Sequence, residues 1–139
     1  MASNRGFALD LNRFLRVVET EGTREIRQVS LAGLKGVMLK TPVDNGTARA
    51  NWNVGLNTVD RSTSEESSSS SKNNIDPSKF NEGSSVIARV EEGDSINISN
   101  SMPYINRLEF TDYSAQGSGM VRRTLEELKV FLRNRNRRV

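Results

Sequence analysis

Three groups of side chains in this 139-residue chain are of types that do chemistry. They are a serine-rich run, S-T-S-E-E-S-S-S-S-S-K-N-N (Ser62 to Asn74), a carboxylate triplet (Glu91, Glu92 and Asp94), and an arginine cluster (Arg133, Arg135, Arg137 and Arg138). A serine nucleophile needs a base to take its proton and a sharp turn to present it. The chain contains no histidine, and no such turn surrounds these serines, so the run reads as a linker. The carboxylates lack the spacing of a calcium loop and read as the solvated end of a helix. No cysteine is present, which excludes disulfides and thiolate metal sites. No glycine-rich phosphate loop follows a strand. The reading assigns no catalytic residue, no metal site and no cofactor. The arginines have two readings: phosphate contacts on a polyanion, or cations complementing the negative pole of a helix.

Charge is distributed unevenly. The formal net charge is +3, but seven of the 20 basic residues and only two of the 17 acidic ones lie from Val121 to Val139. Hydrophobic residues make up 35% of the chain, a lean supply for one self-sufficient domain of residues 1–139. A lean core implies a disordered part or burial completed by partners. No apolar run approaches the ~20 residues that span a bilayer. The N-terminus carries no long apolar stretch either. The expectation is a soluble protein made in a cytoplasm.

The elements that must position these groups follow from periodicity. Phe7, Leu11, Phe14, Leu15 and Val18 recur at helical spacing, with Asp10 as N-cap and Gly22 as stop. A second helix runs from about Thr23, with Ile26, Val29, Gly33 and Val37 as its stripe and Ser30, Leu34 and Met38 beside it. Pro42 ends it. Asp44-Asn45-Gly46 forms a turn, and Thr47 caps a helical turn through Ala50. Trp52, Val54 and Leu56 alternate with Asn51, Asn53 and Asn57 as a half-buried strand. Residues 58–79 read as a long flexible serine-rich loop. A short helix covers Pro77 to Glu92, and Ile96 and Ile98 mark a second strand. Pro103 opens a helical turn. A last helix carries Val121, Leu125, Leu128 and Leu132 on one stripe with Met120 and Phe131 beside it, and 133–139 form a basic tail. The fold class is α+β: a small antiparallel or mixed sheet packed against two N-terminal helices and a C-terminal helix, with open sheet edges.

Three segments carry a resemblance. T-P-V-D-N-G-T-A-R-A-N-W (41–52), G-D-S-I-N-I-S-N-S-M-P-Y-I-N-R-L-E-F (93–110) and S-A-Q-G-S-G-M-V-R-R-T-L-E-E-L (114–128) resemble, in the same order, T-P-V-D-T-G-x-x-R-x-N-W, I-x-I-x-N-x-x-P-Y-x-x-x-L-E-Y and S-x-Q-A-P-x-G-M-V-x-x-T-V. These are segments of tailed-bacteriophage neck proteins, the head–tail connector and tail-completion proteins of the HK97 gp10-like kind. The blocks cover about a third of the chain. Thr111 stands where that family usually has Gly, and Gln116 to Gly119 is one residue short and lacks the usual Pro.

The resemblance implies a non-enzymatic structural protein of the virion. It would be assembled in the bacterial cytoplasm as a homo-oligomeric ring of six or twelve copies at the neck. Its partners would be portal-adaptor, tail-terminator and other neck proteins, without a membrane, and DNA would pass through its centre. The family-motif and subunit-interface candidates are Asp44, Gly46, Arg49, Trp52, Pro103, Tyr104, Glu109, Phe110, Gln116, Gly119 and Met120. Arg133, Arg135, Arg137 and Arg138 are the lumen or DNA-facing candidates. Arg49 reads either as a plain surface arginine or as the partner of Glu109. The alternative function is a small basic nucleic-acid-binding protein.

Overall fold

The computed structural model describes residues 7–10, 23–41, 50–63, 77–102, 105 and 119–136, with the backbone alone for 7–10, 135 and 136. The elements in chain order are strand β1 (Phe7–Asp10), helix α1 (Thr23–Lys40), strand β2 (Asn53–Leu56), helix α2 (Pro77–Ile87), strand β3 (Ile96–Asn100) and helix α3 (Met120–Asn136). The chain is α+β, with α1 packed on the sheet and on both other helices.

Helix α1 buries Ile26, Val29, Ser30, Gly33, Leu34, Val37 and Met38, the stripe and flank that the spacing predicts. The i, i+3, i+4 recurrence places these residues on one broad apolar face. Thr41 closes the helix. Its amide and its hydroxyl both donate to the Val37 carbonyl, at 3.1 and 2.6 Å, satisfying an acceptor that the helix end would otherwise leave open.

The sheet is antiparallel in the order β1-β3-β2. Its register sets Leu9, Ile98 and Val54 in one row, and Ala8, Ser99 and Asn53 in the next. The first expected helix is therefore corrected at its start: Phe7–Asp10 is a strand. Phe7 and Leu9 fit a period of two as well as a helical one, and pairing with β3 decides between them. The rest of that expected helix, 11–22, lies outside the described residues.

On the core face of the sheet, Trp52, Val54, Ile96 and Ile98 are buried. The other face is not the open polar surface that alternation suggests, because Asn51 and Ser99 are buried too. Residues 58–62 fold back across β2 and β3 as a strap. The Asp60 carbonyl accepts from Asn53 Nδ2 at 3.3 Å and Ser99 Oγ at 2.8 Å, and the Thr58 carbonyl accepts from Asn97 Nδ2 at 3.2 Å. The Asp60 carboxylate in turn accepts from the Ser62 amide and hydroxyl, at 3.0 and 2.6 Å. The expected flexible loop at 58–79 is thus corrected at both ends: 58–62 is tied to the sheet and Pro77–Lys79 begins α2. Residues 64–76 lie outside the described residues.

Proline is suited to the first position of a helix, where no backbone donor is needed. Helix α2 starts there and ends at Ile87, short of the expected Glu92. Its last turn tightens, with the Val90 amide donating to the Ile87 carbonyl at 3.1 Å. Gly93, at φ 90°, then allows a reversal in which the Asp94 carboxylate accepts from the Glu91 amide at 2.9 Å.

Helix α3 buries Met120, Thr124, Leu128 and Leu132, a strict i, i+4 line. The stripe is rotated from the expected one. Val121 and Leu125 are only partly buried, and Phe131 is exposed. The rotation follows from the crossing with α1. A Cβ on Gly36 would stand 2.7 Å from Thr124 Cγ2, so the glycine lets the two helices approach where Thr124 sits.

Candidate functional site

Helix α1 is the axis from which the outer surfaces are placed. On one flank, Gly83 of α2 packs so closely on Leu34 that a Cβ there would lie 2.6 Å from Leu34 Cδ2. On the other flank, Gly36 meets Thr124 of α3. Leu34 and Gly36 are about 160° apart around a helix of 3.6 residues per turn, so α2 and α3 stand on opposite sides of α1. The ends of α1 differ as well. Near its N-terminus, Arg27 Nη2 donates to the Val90 carbonyl at 2.8 Å, which fixes the turn after α2 there. At its C-terminus, Lys40 Nζ meets Glu127 Oε1 of α3 at 2.6 Å, and α3 continues beyond that contact.

Beyond that contact α3 carries Val130 and Phe131, the exposed large hydrophobics of the described residues, at 49% and 43% exposure. Arg123, Glu127, Val130, Phe131 and Asn134 follow each other along one flank of the helix, at i, i+4, i+7, i+8 and i+11. The two glutamates of this helix are engaged by lysines: Glu127 by Lys40, and Glu126 by Lys129 at 3.4 Å. Exposed pairs of this kind stabilise little, and Arg123 and Arg133 are exposed on the same helix. An open groove of about 460 Å³ at the start of α3 is lined by Gly119, Arg122, Arg123, Glu126 and Glu127. The opposite signs that line it do not select an anion or a cation.

The turn after α2 presents the other charge. Glu91 and Glu92 are exposed, and Asp94 is held by Asn57 Nδ2 at 2.9 Å and by the Glu91 amide. The Asn57 hydrogen bond, then the backbone one, holds the Asp94 carboxyl below its ordinary value of 3.8. Asp94 thus braces the turn. Among the described residues no group of three His, Cys, Asp or Glu is placed to hold a metal ion, and no helix is long and apolar enough to cross a membrane.

The expected interface residues divide. Trp52 and Met120 lie in the core, at 6% and 0% exposure, and so are unavailable to a neighbouring subunit. Gly119 is buried at the N-terminus of α3 at φ 78°, its carbonyl accepting from the Arg123 amide at 2.8 Å, with the Arg122 guanidinium lying over it. These three act within the fold. Arg133 is exposed on α3. Arg135 lies on α3, where only its backbone is described. Asp44, Gly46, Arg49, Pro103, Tyr104, Glu109, Phe110, Gln116, Arg137 and Arg138 lie outside the described residues, and with them the Arg49–Glu109 pairing.

Sequence reasoning missed the Val130–Phe131 pair. Helical spacing carried no signal for it: Phe131 is seven residues from Thr124 and only about 20° from it around the helix, so its angle alone places it with the buried line. The chain matches no family model, no curated protein and no solved structure.

Proposed function

We propose that the chain is a structural, non-enzymatic protein of a tailed-phage neck that assembles as a ring joining the head to the tail, with DNA passing through. One observation carries the reading. Thr41 and Trp52, the first and last residues of the segment that resembles the neck proteins, meet by a hydrogen bond in the core. The segment's two ends therefore join α1 to β2, and Met120, from the third resembling segment, closes the same core. The outward features are those of an assembling protein: an exposed apolar pair on α3, and sheet edges on β1 and β2 that carry no strand partner among the described residues.

The second reading, a small basic nucleic-acid-binding protein, draws on the exposed Arg122, Arg123 and Arg133 of α3. Glu126 and Glu127 interrupt that face, whereas a phosphate-tracking surface gains affinity from uninterrupted cations. Light scattering after size-exclusion chromatography, across concentration and salt and with a short duplex in parallel, separates the two. The neck reading expects discrete rings whose mass is indifferent to duplex at physiological salt. A monomer or dimer that shifts fully onto duplex at that salt overturns it.

A further inference from the structure

The ring reading leaves open which surfaces meet, and the following rests on that reading. We infer that the outer flank of α3, centred on Val130 with Phe131 and Arg123 to one side and Arg133 to the other, docks against the Glu91–Glu92 turn of a second copy of this chain. Three observations favour this occupant. The apolar pair is exposed on the stretch of α3 that follows its contact with Lys40 at the end of α1. The flank lies on a helix whose exposed or half-buried cations (Arg122, Arg123, Lys129 and Arg133) outnumber its two glutamates, and the Glu91–Glu92 turn carries exposed negative charge on a backbone braced by Asp94. The two surfaces also face apart: one sits by the C-terminal end of α1 and the other by its N-terminal end, across an 18-residue helix of about 27 Å.

Position decides the kind of assembly. Complementary patches on opposite ends of one subunit cannot satisfy each other within that subunit. Used once between two copies they form a head-to-tail contact, which closes into a ring when its rotation permits; used twice they close a two-fold dimer in which residue i meets j and j meets i, and a mass of two copies in light scattering identifies that outcome. Charge sets register and partner choice, and the apolar pair supplies the desolvated centre.

The test uses the full chain and two charge-reversed variants. One carries Arg123→Glu with Arg133→Glu, the other Glu91→Lys with Glu92→Lys. All four positions are exposed, and unchanged urea midpoints check that each variant folds. By light scattering at physiological salt, each variant alone should need at least about tenfold more protein than wild type to assemble. An equimolar mixture of the two should assemble again, because an acidic α3 then meets a basic turn and a basic α3 meets an acidic one. Phe131→Ser should weaken wild-type assembly without moving its urea midpoint. Wild-type-like assembly of both variants, or failure of the mixture to recover, overturns this contact while rings of the wild type keep the ring reading standing. A wild type that never exceeds a monomer overturns the contact as well, and the parallel duplex arm then decides the ring reading.

Discussion

The indole nitrogen of Trp52 donates to the hydroxyl of Thr41 at 2.8 Å, and that hydroxyl donates to the Val37 carbonyl at 2.6 Å. A residue that terminates a helix thus also receives the tryptophan that immediately precedes the following strand, 11 positions on. The relay fixes the path from α1 into β2 at its two ends. It explains why a polar threonine is fully buried here: its hydroxyl has both a donor and an acceptor to satisfy.

Thr41→Val, which keeps the shape and removes the hydroxyl, takes the acceptor from a buried indole N–H. The expected loss is about 1–3 kcal/mol, read from the urea unfolding midpoint. Thr41→Ser keeps the oxygen and should lose less than half as much. Equal losses in the two variants would show that the methyl group, and not the relay, is what the site requires.

The α1–α3 crossing supplies a second test. Gly36→Ala gains about 1 kcal/mol of helix propensity but places a methyl 2.7 Å from Thr124 Cγ2 and 2.9 Å from Thr124 Oγ1. Overpacking of that kind costs about 1–3 kcal/mol, so the single variant should be destabilised or near neutral. Thr124 Oγ1 is itself buried without a hydrogen-bond partner. Gly36→Ala combined with Thr124→Ala should therefore be more stable than the two separate changes add up to. Additivity in the double-mutant cycle would mean that the helices do not meet at these residues.

Periodicity set the start of α1 at about Thr23, where it begins, and named every buried position on it, because a long amphipathic helix repeats one signal several times. Short elements carry less. Four residues at Phe7–Asp10 satisfy both periods, and only the distant partner β3 selects the strand. The strap at 58–62 was hidden by composition: Ser, Thr and Asp residues that fail to build a core can still be held by carbonyl acceptors facing Asn53, Asn97 and Ser99. At the candidate site, the charges were legible in the chain. The exposure of Phe131 was not, since its angle on α3 is close to that of the buried Thr124 seven residues before it.

The strap should come loose in Gly55→Ala. A Cβ at Gly55 would collide with the backbone carbonyl of Thr58, a neighbour that cannot rotate away as a side-chain tip can. The added methyl should cost about 1–3 kcal/mol and speed hydrogen exchange and proteolysis across 58–63, while the α1 amides keep their order of protection. Asn97→Ala, which removes only the 3.2 Å bond to the Thr58 carbonyl, should give the same pattern more weakly. Uniform deprotection of the whole chain in Gly55→Ala would mean that the strap is no separate unit.

Asp94 sets the expected acid limb of stability. Its carboxyl is held below 3.8 in the folded chain, first by Asn57 Nδ2 and then by the Glu91 amide. A carboxylate whose folded value is depressed contributes stability above its unfolded value, and that contribution is lost as pH falls through the folded one. The window lies below about pH 4. Asp94→Asn removes the titration, and its single amide oxygen keeps one of the two hydrogen bonds at any pH. In urea midpoints measured from pH 7 to pH 2, the wild type should fall more steeply than Asp94→Asn below pH 4, and the two curves should run parallel above pH 5. Parallel curves throughout would show that the 91–94 turn, which presents Glu91 and Glu92, is not braced by the Asp94 charge.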